Sequence, residues 1–579
     1  SPGMLGCGAM RILGLLGSSL VLTALAVACG TAEGTGQFAT KDGGDDDGGG
    51  IIVDPDSGIV IDPDSGSTGG GGDGSVLVTG DPVTCAEAES AKTYVGCDYW
   101  PTVTGNLVWS IFDYAVIVAN NQSTPAQVTV TGPNNTNKTV TVQPNSLEKV
   151  YLPWVKNLKG PDTNECGNAS PMTASVVERG GAYHLVSSVP VVVYQFNALE
   201  YKGQGGPAGK SWASCPGTTT SCGARPPIGC FSFSNDASIL LPSTAMTGTY
   251  RVAGTKGWTE AGNILNPPAD IMGPYFTVTA TKDSTTVTIK LSGAAKVKAG
   301  GGITATNGGG TITLNLNAGD VAEVIGDVGA TVDLSGSLVT ANNPVQVLTG
   351  IPCINIPAGK QACDHLEEIV FPAETLGKSY VVAPMTGPNG DAPGHVVKFV
   401  GNKDGTTLSY APSKPAGCPS SLNAGQVVEC TGLVTTPFSV TGDNEFAVIN
   451  FMPAAQVLQP ALSGTRKGDP SQSAMVATEQ FRTKYNFLAP DDYDISYVDV
   501  IGPTDAKLVL DGANVTTAFK VIANGIGIAR IKLGAGQRGA HLLTSDKPVG
   551  IQVMGYGDNT SYQYPGGLDL KRIAIAPDK

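Results

Sequence analysis

Four histidines stand in the 579 residues, and each is a place to look for chemistry. His365 lies in Cys363-Asp-His-Leu-Glu-Glu368, with Asp364, Glu367 and Glu368 as neighbours. Such a set can ligate a metal or supply a general base, so His365, Asp364 and Glu367 are the candidate metal ligands. The competing and preferred reading is a polar loop closed by a disulfide, with its charges engaged in local hydrogen bonds. His184 and His541 occupy equivalent places ahead of a repeated strand pair, where other copies carry Ser337 and Phe438. A position filled so variously reads as surface or packing, and His395 is a lone strand residue. The sequence holds no His-Glu-x-x-His, no Gly-x-Ser-x-Gly and no phosphate-binding glycine loop. Gly300–Gly302 and Gly308–Gly310 fall between strands as turns, not at helix starts. Carboxylates distant in sequence can meet as a glycosidase acid pair, but no pair stands out. These residues predict a non-catalytic chain without a cofactor, and they leave the ligand-binding residues unassigned.

The cysteines carry more information. Arg11 precedes an apolar run from Ile12 to Ala28 that ends in Ala26-Val-Ala-Cys29, the length and ending of an export signal rather than of a spanning helix. The run resembles a bacterial lipoprotein signal, which implies lipidation at Cys29; cleavage without lipid is the rival. Gly30 in place of Asp favours the outer membrane under that family's sorting rule. Cys7 would leave with the signal and Cys29 would carry the lipid, so ten of the twelve cysteines remain, an even number that reads as disulfides in an exported chain. Close spacing suggests Cys85–Cys97, Cys353–Cys363 and Cys418–Cys430. Two more bonds are left open among Cys166, Cys215, Cys222 and Cys230.

The elements that must position these residues are repeated strands. His541-Leu-Leu-Thr-Ser-Asp-Lys-Pro-Val-Gly-Ile-Gln-Val-Met554 recurs at Tyr183–Phe196, Ser337–Leu348 and Phe438–Phe451. Each copy reads as a strand, a tight turn beginning at Ser188, Asn342, Asp443 or Asp546, and a second strand with apolar residues two apart. Each is preceded by paired strands with matching turns, and the later copies by lead-ins such as Leu241–Tyr250 and Phe371–Tyr380. Six or seven short strands at this spacing predict a β-sandwich. The expected organisation is all-β: a signal at 1–29, a flexible acidic linker at 30–80, and modules at 81–235, 236–367, 368–475 and 476–579. The linker, with Asp42-Gly-Gly-Asp-Asp-Asp47 and two copies of Asp-Pro-Asp-Ser-Gly, has too little apolar surface to order itself. Between Asn157 and Phe231 a Gly-, Pro- and Ser-rich insertion carries the middle four cysteines. It and Pro352–Leu366 are the first places to expect a binding surface.

Asn235-Asp-Ala-Ser-Ile-Leu-Leu-Pro242, Pro352-Cys-Ile-Asn-Ile-Pro357 with Cys363-Asp-His-Leu-Glu367, and Tyr556–Gly567 resemble the N-terminal domain family of IgG Fc-binding protein, over roughly residues 95 to 567. That resemblance implies an exported protein of unassigned activity; immunoglobulin binding belongs to the animal mucus protein, and no residue motif carries it over here. The self-cleavage phrase of the von Willebrand-type modules is missing its histidine in Gly468-Asp-Pro-Ser471, which reads as a loop. With net charge −14 and no basic cluster, nucleic acid is an unsuitable partner. The expectation is a lipid-anchored outer-membrane protein at the cell surface, binding an extracellular protein or glycan in the manner of an adhesin, and touching membrane only through its lipid. A self-associating envelope component is the alternative, and a surface-polymer hydrolase the more remote one.

Overall fold

The structure, a computed structural model, describes residues 81–223, 226–262, 267–534, 536 and 539–577. The signal with Cys29 and the acidic linker lie outside the described residues. From Asp81 onward the chain is β-sheet with short helical turns, and all of the sheet pairing is antiparallel.

Four copies of one two-sheet unit follow one another. In the second copy the outer sheet runs Thr311–Leu316, Thr285–Lys290, Leu338–Ala341, Thr249–Arg251, and the inner sheet runs Asp364–Ile369, Val345–Ile354, Tyr275–Ala280, Val321–Ile325. The other three copies repeat that order. The closing phrase therefore differs from the expected strand–turn–strand pair: its halves lie in different sheets and do not pair with each other. In the first and last copies it is unbroken, as His184–Phe196 and Ala540–Gly557. Pro190, Pro344 and Pro548 sit at the crossing, where leaving one ladder for the other spares the chain the N–H that proline lacks.

Two side chains hold each crossing. The predicted turn residues bond the adjacent strand rather than their own loop: Ser188 accepts Gln127 N–H (2.9 Å), Asn342 Thr286 N–H (2.8 Å), Asp443 Thr407 N–H (2.8 Å) and Asp546 Lys507 N–H (2.7 Å). A buried tyrosine that ends each lead-in donates to the carbonyl just past the crossing: Tyr99 to Val191 (2.7 Å), Tyr250 to Val345 (2.6 Å), Tyr380 to Phe446 (2.5 Å), and Tyr485 to Val549. A strand changing sheets exposes main-chain groups to the sandwich interior, and these bonds satisfy them.

The inner sheet of each copy ends in a short strand: Ala237–Ile239, Asp364–Ile369, Gln472–Ala474 and Thr560–Pro565, here called the first to fourth inner strands. They pack in a closed cycle, first on second, second on third, third on fourth, fourth on first. The four sheets radiate from this axis like the blades of a propeller, each backed by its outer sheet. Strands pair across the expected boundaries at 235/236 and 367/368: Ala237–Ile239 pairs with Tyr194–Phe196, and the second inner strand spans the latter. Val176–Glu178, from the first copy, extends the second copy's inner sheet beside Val321–Glu323. The ring closes where Arg482 of the last copy meets both Asp81 and Asp569.

Among the described residues five disulfides join Cys85 to Cys97, Cys353 to Cys363, Cys418 to Cys430, Cys166 to Cys222 and Cys215 to Cys230. The stretch between Asn157 and Phe231 is not one insertion, because the closing strand His184–Phe196 runs through it. It is two excursions on either side of that strand, bridged by Cys166–Cys222. No helix among the described residues is long and apolar enough to cross a membrane.

Candidate functional site

The inner strands are short and polar because of where they end up. Each is paired on one side only, and its free edge faces three other free edges across the axis. Buried N–H groups on a strand edge need acceptors, and here side chains from the neighbouring inner strands provide them. Asp236, fully buried, accepts N–H bonds from all four copies: Ala237 at 2.9 Å, Glu367 at 3.1 Å, Gln472 at 3.1 Å and Gln563 at 3.3 Å. Burial pushes its carboxyl well above the ordinary range, against these N–H bonds, which pull it down. Four donors on two oxygens are the complement of a carboxylate.

The same solution recurs along the axis. Asp364 accepts Asn235 N–H (2.7 Å), His365 N–H (2.8 Å), the Thr560 hydroxyl (2.8 Å) and Ser561 N–H (3.4 Å). Glu368 accepts the Ser238 hydroxyl (3.0 Å), Ile369 N–H (2.9 Å) and Ala474 N–H (3.3 Å). Glu367 accepts the Thr104 hydroxyl (2.6 Å), Gln195 Nε2 (2.9 Å) and Asn197 Nδ2 (3.1 Å).

This network places the candidate metal ligands. Residues alternate faces along a strand, so Asp364 is turned toward Asn235 and Thr560, while His365 and Glu367 share the opposite face. His365 Nε2 lies 3.8 Å from Glu367 Oε2 and 3.3 Å from Asn197 Nδ2, fully buried. The three residues are not brought together around one point, and among the described residues no group of three or more His, Cys, Asp or Glu side chains could hold a metal ion. The other histidines are packing groups. His184 pairs with Asp98 (2.7 Å) and stacks on Trp100, its ring centroid 4.2 Å away; His541 pairs with Asp511 (2.8 Å) and stacks on Phe487. Burial, then the Arg530 charge, lower His395 to about 3, so it is a neutral ring.

Ser234, Cys363, Asp469 and Asn559 stand just ahead of the four inner strands, and all line one cavity of about 420 Å³. The cavity sits at the end of the axis where the inner strands begin. Its walls come from the excursions on both sides of His184–Phe196 and from the loop closed by Cys353–Cys363, and they include Leu107, Trp109, Phe231 and Phe233. Arg466 is at the wall too, with Nε donating to the Gln459 carbonyl (3.1 Å) and Nη2 to that of Leu462.

Asp469 is the cavity's carboxylate, and the loop reading of Gly468-Asp-Pro-Ser471 missed it. It is fully buried; Oδ1 accepts Ala455 N–H at 3.2 Å, and Oδ2 has no hydrogen-bond partner. Burial pushes it well above the usual carboxylate range, against the N–H groups of Ala455 and Ala362 and the Arg466 charge. A single buried carboxyl group in the wall does not make the acid pair that glycoside hydrolysis uses. An aromatic and aliphatic wall with a few fixed polar groups, in this size range, is the make-up of a binding pocket.

A profile of the family described as IgGFc binding protein matches residues 236–555. The human IgGFc-binding protein is 33% identical over 129 residues, 21% of this chain and 2% of that protein, so the chain spans a small fraction of that relative's length. Among solved structures, an anti-sigma factor domain-containing protein from Clostridium clariflavum is similar at 14% identity over 54% of this chain and 81% of its own, with a TM-score of 0.10. A tetra-tandem repeat from the extending region of a large adhesion protein covers 81% of this chain and 99% of its own at 12% identity, with a TM-score of 0.08. At such scores neither likeness carries an argument.

Proposed function

The chain belongs to the IgGFc-binding protein family, and from that premise we propose that it is an exported, non-catalytic binding protein that captures an extracellular protein at the axial face where the cavity lies. The observation that supports this reading is the cavity itself, built from segments of all four copies and walled by disulfide-stapled loops. Five disulfides suit an oxidising, extracytoplasmic compartment. In this proposal a lipid on Cys29 holds the protein at the outer membrane, and the acidic linker of residues 30–80 lets the ring stand off the surface in the manner of an adhesin. Capture of immunoglobulin is no part of the proposal, since the human relative is matched over a small part of its length.

The test uses intact cells displaying the full chain. Removal of the protein by external protease, together with binding of an extracellular protein that falls in a Cys166→Ser/Cys222→Ser variant, supports the proposal. Binding that is confined to a glycan array transfers the reading to a carbohydrate ligand. A protease-shielded protein that binds neither overturns it in favour of an internal, self-associating envelope component.

A further inference from the structure

We propose that Lys210 and Asp113 condense into an isopeptide bond, with Glu200 carrying the protons, so that the second excursion is welded to the first copy. The inference goes beyond the binding reading and stands without it.

Three observations carry it. The first is placement. Asp113 immediately precedes the strand Tyr114–Asn120, and Glu200 lies just past the end of its partner, His184–Phe196. Asp113 N–H donates to Glu200 Oε2 at 3.0 Å, and Lys210 brings Nζ onto Asp113 Oδ2. All three side chains converge on Gly206, where a Cβ would meet Lys210 Cδ at 2.6 Å, Glu200 Oε1 at 2.9 Å and Asp113 Oδ2 at 3.2 Å. The second is the exclusion of water. Glu200 is buried, the Lys210 side chain is 10% exposed, and Nζ lies 4.3 Å from the centre of the Trp212 ring, itself packed on Phe112. A desolvated lysine is a competent nucleophile. The third is a proton carrier. Burial and then the Asp113 charge push Glu200 up to about 8, against the Asp113 N–H and the Lys210 charge. It is therefore an acid at neutral pH, hydrogen-bonded to Asp113, and burial, the larger cause, persists once that charge is gone. Lys398–Asp333 is a comparably buried ion pair, its side chains 2% and 14% exposed, but no third carboxyl is among its hydrogen-bond partners.

The step balances within the three residues. Lys210 Nζ passes one proton to the Asp113 carboxylate, and the freed electron pair attacks Cγ. Glu200 protonates the carbonyl oxygen as the N–Cγ bond forms, then takes the second Nζ proton. It returns that proton to one hydroxyl, which leaves as water when its Cγ–O bond breaks, and recovers the proton of the other. An ammonium and a carboxylate become an amide and water, and Glu200 ends as it began. Groups held in this way react at effective concentrations of about 10⁵–10⁸ M, which offsets the unfavourable condensation of such ions in water.

The experiment maps the purified full chain, reduced, alkylated and digested with trypsin, by tandem mass spectrometry. The expected product is a branched peptide in which residues 93–138 are joined to a segment left uncut at Lys210, lighter than its two parts by one water. Lys398 should carry no such branch. Lys210→Arg keeps the charge but cannot form the amide, and Glu200→Gln keeps the shape but cannot carry the proton. Both should give separate peptides of unmodified mass, from chains whose circular dichroism matches the parent. If either variant fails to fold, the parent map still decides. Parent peptides cleaved at Lys210 without loss of water overturn the proposal. So does water lost from residues 93–138 alone, which indicates a succinimide at Asp113, and so does a branch that persists in Glu200→Gln.

Discussion

Replacing Asp236 by Asn changes one oxygen to an NH₂ group at the point where four strands converge. The oxygen that remains can keep two of the four N–H bonds. The amide nitrogen would face either Glu367 and Gln472 N–H, both at 3.1 Å, or Ala237 and Gln563 N–H, at 2.9 and 3.3 Å. In both orientations two buried N–H groups lose their acceptor and meet another donor. At about 1–3 kcal/mol per stranded buried donor, the substitution should cost about 2–6 kcal/mol, a large part of the ~5–15 kcal/mol that holds a typical domain folded. Guanidinium unfolding under oxidising conditions, followed by near-UV circular dichroism, reads that loss. Asp505→Asn, at an ion pair whose aspartate is 73% exposed, is the matched control and should leave the unfolding midpoint unchanged, because solvent screens such a pair. An Asp236→Asn protein within about 1 kcal/mol of the parent would refute the reasoning. It would mean that the carboxyl is a neutral acid whose hydroxyl an amide replaces at little cost.

Further outcomes follow from the same structure. Tyr250→Phe removes a 2.6 Å bond to the Val345 carbonyl and should cost about 1–3 kcal/mol, measured as a lower unfolding midpoint, with Tyr380→Phe behaving alike. Glu200 is pushed up to about 8 from 4.5 by burial and then by the Asp113 charge. The folded protein keeps that proton where the unfolded chain has lost it, so Glu200 makes stability fall as pH rises from 4.5 to about 8. Glu200→Gln should flatten that part of a plot of thermal midpoint against pH. His395 acts in the opposite direction: its folded pKa of about 3 lies below 6.5, so its contribution is present above pH 6.5 and lost as pH falls toward 3. His395→Phe should abolish that acid-side loss, and an unchanged acid limb would contradict the neutral-ring assignment.

The repeat was readable because each closing phrase carries a period of two over apolar residues and a recurring proline, signals confined to a dozen positions. The sandwich class follows from them. What the phrases could not convey is that their two halves belong to different sheets, since Ser188, Asn342, Asp443 and Asp546 have the same composition whether they cap a local turn or a neighbouring strand. Cys85–Cys97, Cys353–Cys363 and Cys418–Cys430 were suggested by spacings of 10 and 12 residues. Cys166–Cys222 spans the strand His184–Phe196 and interleaves with Cys215–Cys230 beyond it, and their pairing needed the fold. The axis was the least legible part. Asp236, Asp364 and Asp469 look like surface residues one at a time, and their burial is produced by the meeting of four strands that are up to 327 residues apart. Asp469, between Gly468 and Pro470, had every local mark of an exposed loop.

Asp236 also sets a timetable. Its first donor, Ala237, is the next residue to leave the ribosome, whereas its last, Gln563, comes 327 residues later. At ~5–20 residues per second that interval is on the order of 15–65 s. Throughout it the Asp236 carboxyl lacks its last donor. Completion of the ring is therefore an event that follows synthesis of the final hairpin. A chain cut short before Thr560 would lack the fourth inner strand and leave Asp236 without Gln563 N–H and Asp364 without Thr560 and Ser561: an open ring with unfilled carboxyl oxygens.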